Sequence, residues 1–190
     1  MGEVSHTEGT STVAFGPNSH AEGFTTTAIG DSSHSEGANT VAKGTASHTE
    51  GAYTKALREH SHAEGEKSQA LGARSHAEGY DTQAIGENSH SGGIKSIAEG
   101  QHSFASGEHT YAKGYASHTH GGFTKAEYPY QTSIGLYNKN SEDNIFEIGY
   151  GTKNTPKNIF EVTKEGIGRL PGAPTNENDI VRYQDILFHI

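Results

Sequence analysis

Cysteine and tryptophan are absent from this 190-residue chain. Without thiols there is no disulfide framework and no thiolate chemistry. Long apolar runs are missing as well, so no segment reads as a membrane-spanning helix. The first residues, Met1-Gly2-Glu3-Val4, show no basic region followed by an apolar stretch, and no signal peptide is read there. Basic residues are few: 14 Lys plus Arg stand against 23 Asp plus Glu, for a net charge of -9. That balance argues against a nucleic-acid partner. Leu, Ile, Val and Phe together number only 29. So little apolar bulk in an acidic chain ordinarily means disorder. The 29 are unevenly placed, with 13 in residues 1–127 and 16 in residues 128–190. The first region therefore cannot hold a conventional core, whereas the second can hold a small one.

What the chain has instead is strict periodicity, which random polar sequence lacks. Ser-His-x-Glu-Gly starts at Ser5, Ser19, Ser33, Ser47, Ser61 and Ser75, and continues in weakened form at Ser89, Ser103 and Ser117. The spacing is 14 across all nine copies, with no insertion. Midway lies [Ser/Thr]-x-Ala-x-Gly, starting at Thr12, Thr26, Thr40, Thr54, Ser68, Thr82, Ser96, Thr110 and Thr124. Its glycine is replaced only at Arg58 and Tyr128. The unit is thus seven residues, in two alternating kinds.

Small side chains at positions one, three and five of each unit predict a strand of period two. Glycine at the strand end suits a sharp turn or a positive φ. Two-residue connections such as Pro17-Asn18 and Asp31-Ser32 are too short for a helical crossover. Stacked turns of one coil remove that difficulty, because each strand pairs with its equivalent one rung away. The expected fold is all-β: a parallel β-roll of 14-residue rungs, nine of them spanning about 43 Å at about 4.8 Å each. Ser/Thr, Ala and Gly then point inward, and buried hydroxyls must bond to backbone or to the next rung's hydroxyl. Such a core buries little apolar area, so a single roll is expected to need partners.

With these motifs, Thr26-Thr-Ala-Ile-Gly30, Ser68-Gln-Ala-Leu-Gly72 and Thr82-Gln-Ala-Ile-Gly86 interleaved with the Ser-His-Ala-Glu-Gly copies, residues 5–127 resemble the YadA-type head repeat of trimeric adhesins. The resemblance implies a left-handed coil and a homotrimer.

Outward positions of the first strand kind form two columns. One is His6, His20, His34, His48, His62, His76, His90 and His118, with Phe104 in the eighth rung. The other is Glu8, Glu22, Glu36, Glu50, Glu64 and Glu78, followed by Gly92, Ser106 and His120. The second kind varies outward and carries scattered lysines. An unchanging pair on each rung points to an unchanging constraint, so the His/Glu face is expected at the subunit interface, with His donating to Glu between chains. The alternative seam is the second sheet, through Phe15, Ile29, Leu57, Leu71 and Ile85.

Identical pairs on a flat rod do not form the single tuned pair in a cleft that general acid–base catalysis needs, so no enzyme activity and no catalytic residue is read here. Metal binding at the regular rungs is disfavoured on the same ground. His118-Thr-His120 is a better candidate: three copies on a threefold axis would offer six nitrogens, a set suited to an Fe(II)- or Ni(II)-type ion. Unrelated phage tail fibres use such His-x-His sites, which makes this an analogy. The competing reading gives the two histidines structural duty near the roll's end. Ice binding is disfavoured because the repeated Ser/Thr positions face inward.

After Tyr128 the register fails. Ser133–Tyr137 reads as a last imperfect strand closing the roll, and Asn144-Ile-Phe-Glu-Ile-Gly149 recurs as Asn158-Ile-Phe-Glu-Val-Thr163. This pair predicts antiparallel strands followed by a turn at Lys164-Glu165-Gly166. The expected division is a head-repeat roll over 1–127, a C-terminal β cap over 128–169, and a linker over 170–190 with a short helix at Ile180–Leu187 that leads to a further domain. Asn144–Gly166 resembles a module that follows such repeats in tail and fibre proteins of phages and prophages of Gram-positive bacteria.

The expected function is a structural or adhesive segment of a phage tail fibre, made in the host cytoplasm and located in the virion tail. The alternative is the head of a cell-surface trimeric autotransporter adhesin. Expected partners are further copies of the chain, other tail proteins, and a host-surface glycan or protein, with no membrane insertion. Phe24, Tyr53, Tyr80, Ile94, Tyr115 and Phe123 lie in the connections as candidate contacts.

Overall fold

The computed structural model describes residues 2–171; the helix expected at 180–187 lies outside them. Every strand of the roll pairs in parallel with its counterpart 14 residues on, as in His20↔His34 and Ala28↔Ala42. The first kind of strand forms one sheet and the second kind another, so the molecule is a parallel β-solenoid with two sheets and 14-residue turns.

Its interior is made of alanines and hydroxyls. Thirteen alanines from Ala14 to Ala126 have no solvent exposure, and Thr26, Thr40, Thr54 and Ser68 beside them have none either. The hydroxyls are placed in two ways. Serines opening the first motif close the preceding turn: Ser19, Ser33 and Ser47 donate to the carbonyls of Gly16, Gly30 and Gly44 at 2.6–2.7 Å. Those of the second motif link rungs, as where Thr82 donates to Ser68 at 3.0 Å.

The corners explain the seven-residue unit. A non-glycine residue with positive φ occurs at every seventh position from Val4 to Tyr137. From Asn18 onward each donates its N–H to the preceding rung, as Asn39 does to the Phe24 carbonyl at 2.9 Å. Stacking thus holds a conformation that L-residues ordinarily avoid. Glycine answers two different demands. The first motif's glycines, such as Gly79 at φ 103°, need the positive φ that the sequence predicts. Those of the second motif do not have it. They are required by proximity, since a Cβ on Gly72 would lie 2.1 Å from the Gly86 oxygen.

The second sheet ends at Lys125–Ala126, but the first continues through Thr132–Leu136 and Asn144–Tyr150, both still parallel. Chain direction first reverses at Asn158–Thr163, which pairs antiparallel as expected, and reverses again at Gly168–Arg169, the last strand among the described residues. Side-chain amides finish the open edge of the second sheet. Asn138 accepts from Lys125 N–H at 2.7 Å and donates to its carbonyl at 2.9 Å, standing in for a missing strand. Asn158 treats Lys139 in the same way.

Inside the cap, Glu147 follows Ser133 in the inward column and is fully buried. Its carboxylate accepts from the amides of Asn138 and Asn144, the N–H of Ser141 and the hydroxyl of Ser133. Burial pushes the carboxyl above its ordinary range, against the pull of these four donors. Glu147→Ala would leave one N–H of each of these two buried amides without its acceptor and is expected to cost about 2–4 kcal/mol. Hydrogen exchange should show lost protection over 138–150 with the regular rungs unchanged; unchanged protection in the cap would contradict this role.

Candidate functional site

The outer face of the first sheet carries the one set of side chains repeated on nearly every rung. Parallel register places His6, His20, His34, His48, His62, His76 and His90 in a single column, continued by Phe104 and His118. From His20 to His76 the imidazoles stack 4.7–4.8 Å apart with planes within 14°. The centroid separation is the rung spacing, so the ladder beneath sets the pitch of the column.

Beside it run Glu8, Glu22, Glu36, Glu50, Glu64 and Glu78. The expected His-to-Glu bond is mostly too long within one chain. Nε2 of His20 lies 3.6 Å from Glu22, that of His34 lies 3.8 Å from Glu36, and that of His76 lies 3.6 Å from Glu64. Only His90 comes within hydrogen-bond range, 3.3 Å from Glu78. The Nε2 atoms of His20, His34, His48, His62 and His76 are covered, yet they have no hydrogen-bond partner among the described residues.

Glutamates of neighbouring rungs act on one another along the carboxylate column. Glu36 is pushed up to about 7, first by its hydrogen bond to Glu22 and then by burial. Glu64 is likewise pushed up to about 7, first through Glu50. Glu50 is held low, chiefly by the hydrogen bond from Glu64. Glu36 and Glu64 therefore keep their protons to higher pH than Glu50 between them, an effect that needs the 14-residue stacking and is invisible in any single motif. His34, His48, His62 and His76 are all held below their ordinary value, first by burial and then by the neighbouring imidazoles.

The regular rungs also gather metal-ligating atoms within one chain. Glu22, His34 and Glu36 offer three within 4.8 Å of one another, and the set recurs at Glu36/His48/Glu50, Glu50/His62/Glu64 and Glu64/His76/Glu78. The sequence reading had placed metal chemistry at His118 and His120 instead. Both project outward from His118–Gly122 and are exposed, next to Phe104 and Ser106 on one side and Thr132 and Ile134 on the other. One chain supplies only these two ligands there.

Sequence reasoning missed how this face ends. Carried through the cap, the His column becomes Thr132, Phe146 and Val162, and the Glu column becomes Ile134, Ile148 and Phe160. A polar face thus turns apolar at its C-terminal end. The signal was present in the sequence, since Ile134 and Ile148 continue the 14-residue count from His120.

Of the candidate contact residues, Phe24, Tyr53, Tyr80, Ile94 and Tyr115 are exposed at the corners, while Phe123 is half-buried against its neighbours. Residues 8–23, 21–47 and 77–103 match the family model of the YadA head domain repeat. No curated protein matches the chain.

Proposed function

Because residues 8–23, 21–47 and 77–103 match the YadA head domain repeat, we propose that three copies assemble through the His/Glu face into a rigid, non-catalytic rod that serves as a spacer or adhesive segment. The observation that carries this reading is the face's continuation into Ile134, Phe146, Ile148, Phe160 and Val162. A solvent-facing sheet has no use for an apolar end in register with its polar columns, whereas a subunit seam does. The second sheet, with exposed Lys43, Lys55, Lys113 and Lys125, is then left to solvent and to the target.

The cap's resemblance to fibre modules favours a phage tail fibre, working in the virion with other tail proteins and a host-surface glycan or protein. The match to an adhesin head repeat favours the second reading, the head of a trimeric surface adhesin. In both, stiffness comes from stacked backbone ladders and recognition from the corners and the outer sheet.

Native mass spectrometry of the untagged chain tests the assembly. A mass near three times 20.2 kDa is expected, and a stable monomer would overturn the seam. An additional mass of one transition-metal ion per trimer, lost in His118→Ala/His120→Ala, would assign those two histidines as axial ligands; a bare trimer returns them to structural duty.

A further inference from the structure

A site formed by the rungs alone would recur every 14 residues, so a site that occurs once has to lie where the repeat breaks. Such a place exists beside the last strand of the second sheet. There the segment 137–140 leaves the roll, and the turn between the two long cap strands stands over it. Between them is a groove of about 500 Å³.

One part of its lining is a column of three rings. His109, Phe123 and Tyr137 stack with centroids 4.9 and 4.5 Å apart and planes within 9°. All three have positive φ, which fixes them on one corner of the coil. The groove is also lined by Lys125, Lys139 and Lys153, each of them exposed. Among the described residues Lys67 is the one lysine found in an ion pair, so these three ammonium groups are uncommitted. The groove's one carboxylate, Glu127, accepts the Asn140 amide at 2.9 Å. A chain of net charge -9 thus gathers three free cations against one engaged anion at this concavity of the non-repeating end.

We propose that this groove binds a sugar acid, as the uronate residues of a carboxylate-bearing polysaccharide. The chemistry selects that class. The edges of the ring column offer apolar surface to a pyranose, and the tyrosine hydroxyls of Tyr128 and Tyr137 suit its hydroxyls. The groove's exposed lysines attract a carboxylate as point charges, and polyphosphate is the competing anion that the test below includes. The local positive field inside an acidic molecule steers an anion to this spot and away from the Glu column. The groove lies on the side that the seam leaves free.

This inference rests on the reading of the chain as an adhesive fibre segment, and the experiment separates the two. Oligomers of glucuronate, galacturonate and mannuronate would be titrated into the full chain by calorimetry and saturation-transfer NMR, with light scattering on the same samples. At least one oligomer should bind, with transfer to its ring protons and affinity falling as salt rises. Its carboxyl-reduced form should bind at least about tenfold more weakly, a loss of about 1.4 kcal/mol. Lys125→Glu/Lys153→Glu should lose about as much while keeping the same circular dichroism and the same mass. Failure of all three oligomers, equal binding of the reduced form or of inorganic polyphosphate, or unchanged affinity in the double variant would each overturn the groove. A trimer that binds none leaves the fibre reading standing; a monomer that binds keeps the groove and removes the trimer.

Discussion

Gly79→Ala should unfold the roll, and Gly72→Ala should damage it about half as much. Both glycines lie in mid-roll, and a Cβ would meet the next rung's carbonyl oxygen at 2.2 Å in the first case and 2.1 Å in the second. Sterics alone therefore predict equal harm. The difference is conformational, because Gly79 sits at φ 103°, where a side chain is strained whatever the space around it, and Gly72 has no positive φ. The sequence already contains the control. The proximity position is filled by Arg58 and Tyr128 in two rungs, with Gly44 and Gly114 stacked against them, so the ladder can open locally there. The positive-φ position, from Gly9 to Gly135, is glycine in all ten rungs. We expect roughly 4 kcal/mol or more for Gly79→Ala, a loss that a core of alanines cannot absorb. Denaturant midpoints followed by circular dichroism measure both variants, and a Gly72→Ala protein as unstable as Gly79→Ala would show that proximity alone decides.

The same contrast marks how far the sequence could be read. Periodicity fixes rung length, sheet assignment and the inward and outward faces, because each rung repeats the same physical problem. It does not separate the two reasons for glycine, which depend on a φ angle in one case and an interatomic distance in the other. The antiparallel pair in the cap was legible from the recurrence of Asn-Ile-Phe-Glu. The parallel pairing of Asn144–Tyr150 onto Thr132–Leu136 was not, since the connection between them departs from the two-residue corner. That departure hid Glu147, which occupies an alanine's place in the inward column and draws its four donors from residues 133–144. A 14-residue count continued past Ser133 would have found it. On the candidate site the columns themselves were legible, but the upward push on Glu36 and Glu64 and the downward pull on Glu50 were not. They arise from carboxyl groups meeting across rungs, which no single Ser-His-x-Glu-Gly copy contains.

Acid should disassemble the protein through the histidine column, and the carboxyls should delay the collapse before they fail to prevent it. His34, His48, His62 and His76 are held below their ordinary 6.5, so in acid the unfolded chain takes up more protons than the folded one. The stability they contribute is complete above 6.5 and is lost as pH falls. Glu36 and Glu64 run the other way. With folded values of about 7 against an ordinary 4.5, their contribution is complete below 4.5 and is lost as pH rises through 7. The two sets offset one another between 4.5 and 7. Below that window the raised glutamates have nothing further to give, Glu50 loses the stability that its low value provides, and the histidines charge against one another at 4.7–4.8 Å. The melting temperature is therefore expected to vary little from about pH 7 to 5 and to fall steeply below about 4.5, with loss of the trimer in the same range. The column supplies its own control at Phe104, which lies between His90 and His118 with centroids 4.9 Å from each. His48→Phe/His62→Phe copies that arrangement in mid-column, removes two proton acceptors and should shrink the acid loss markedly while leaving the neutral-pH trimer intact. An identical acid transition in this variant, or a wild-type trimer equally stable at about pH 7.5 and 4, would place the histidine column outside the forces that hold the chains together.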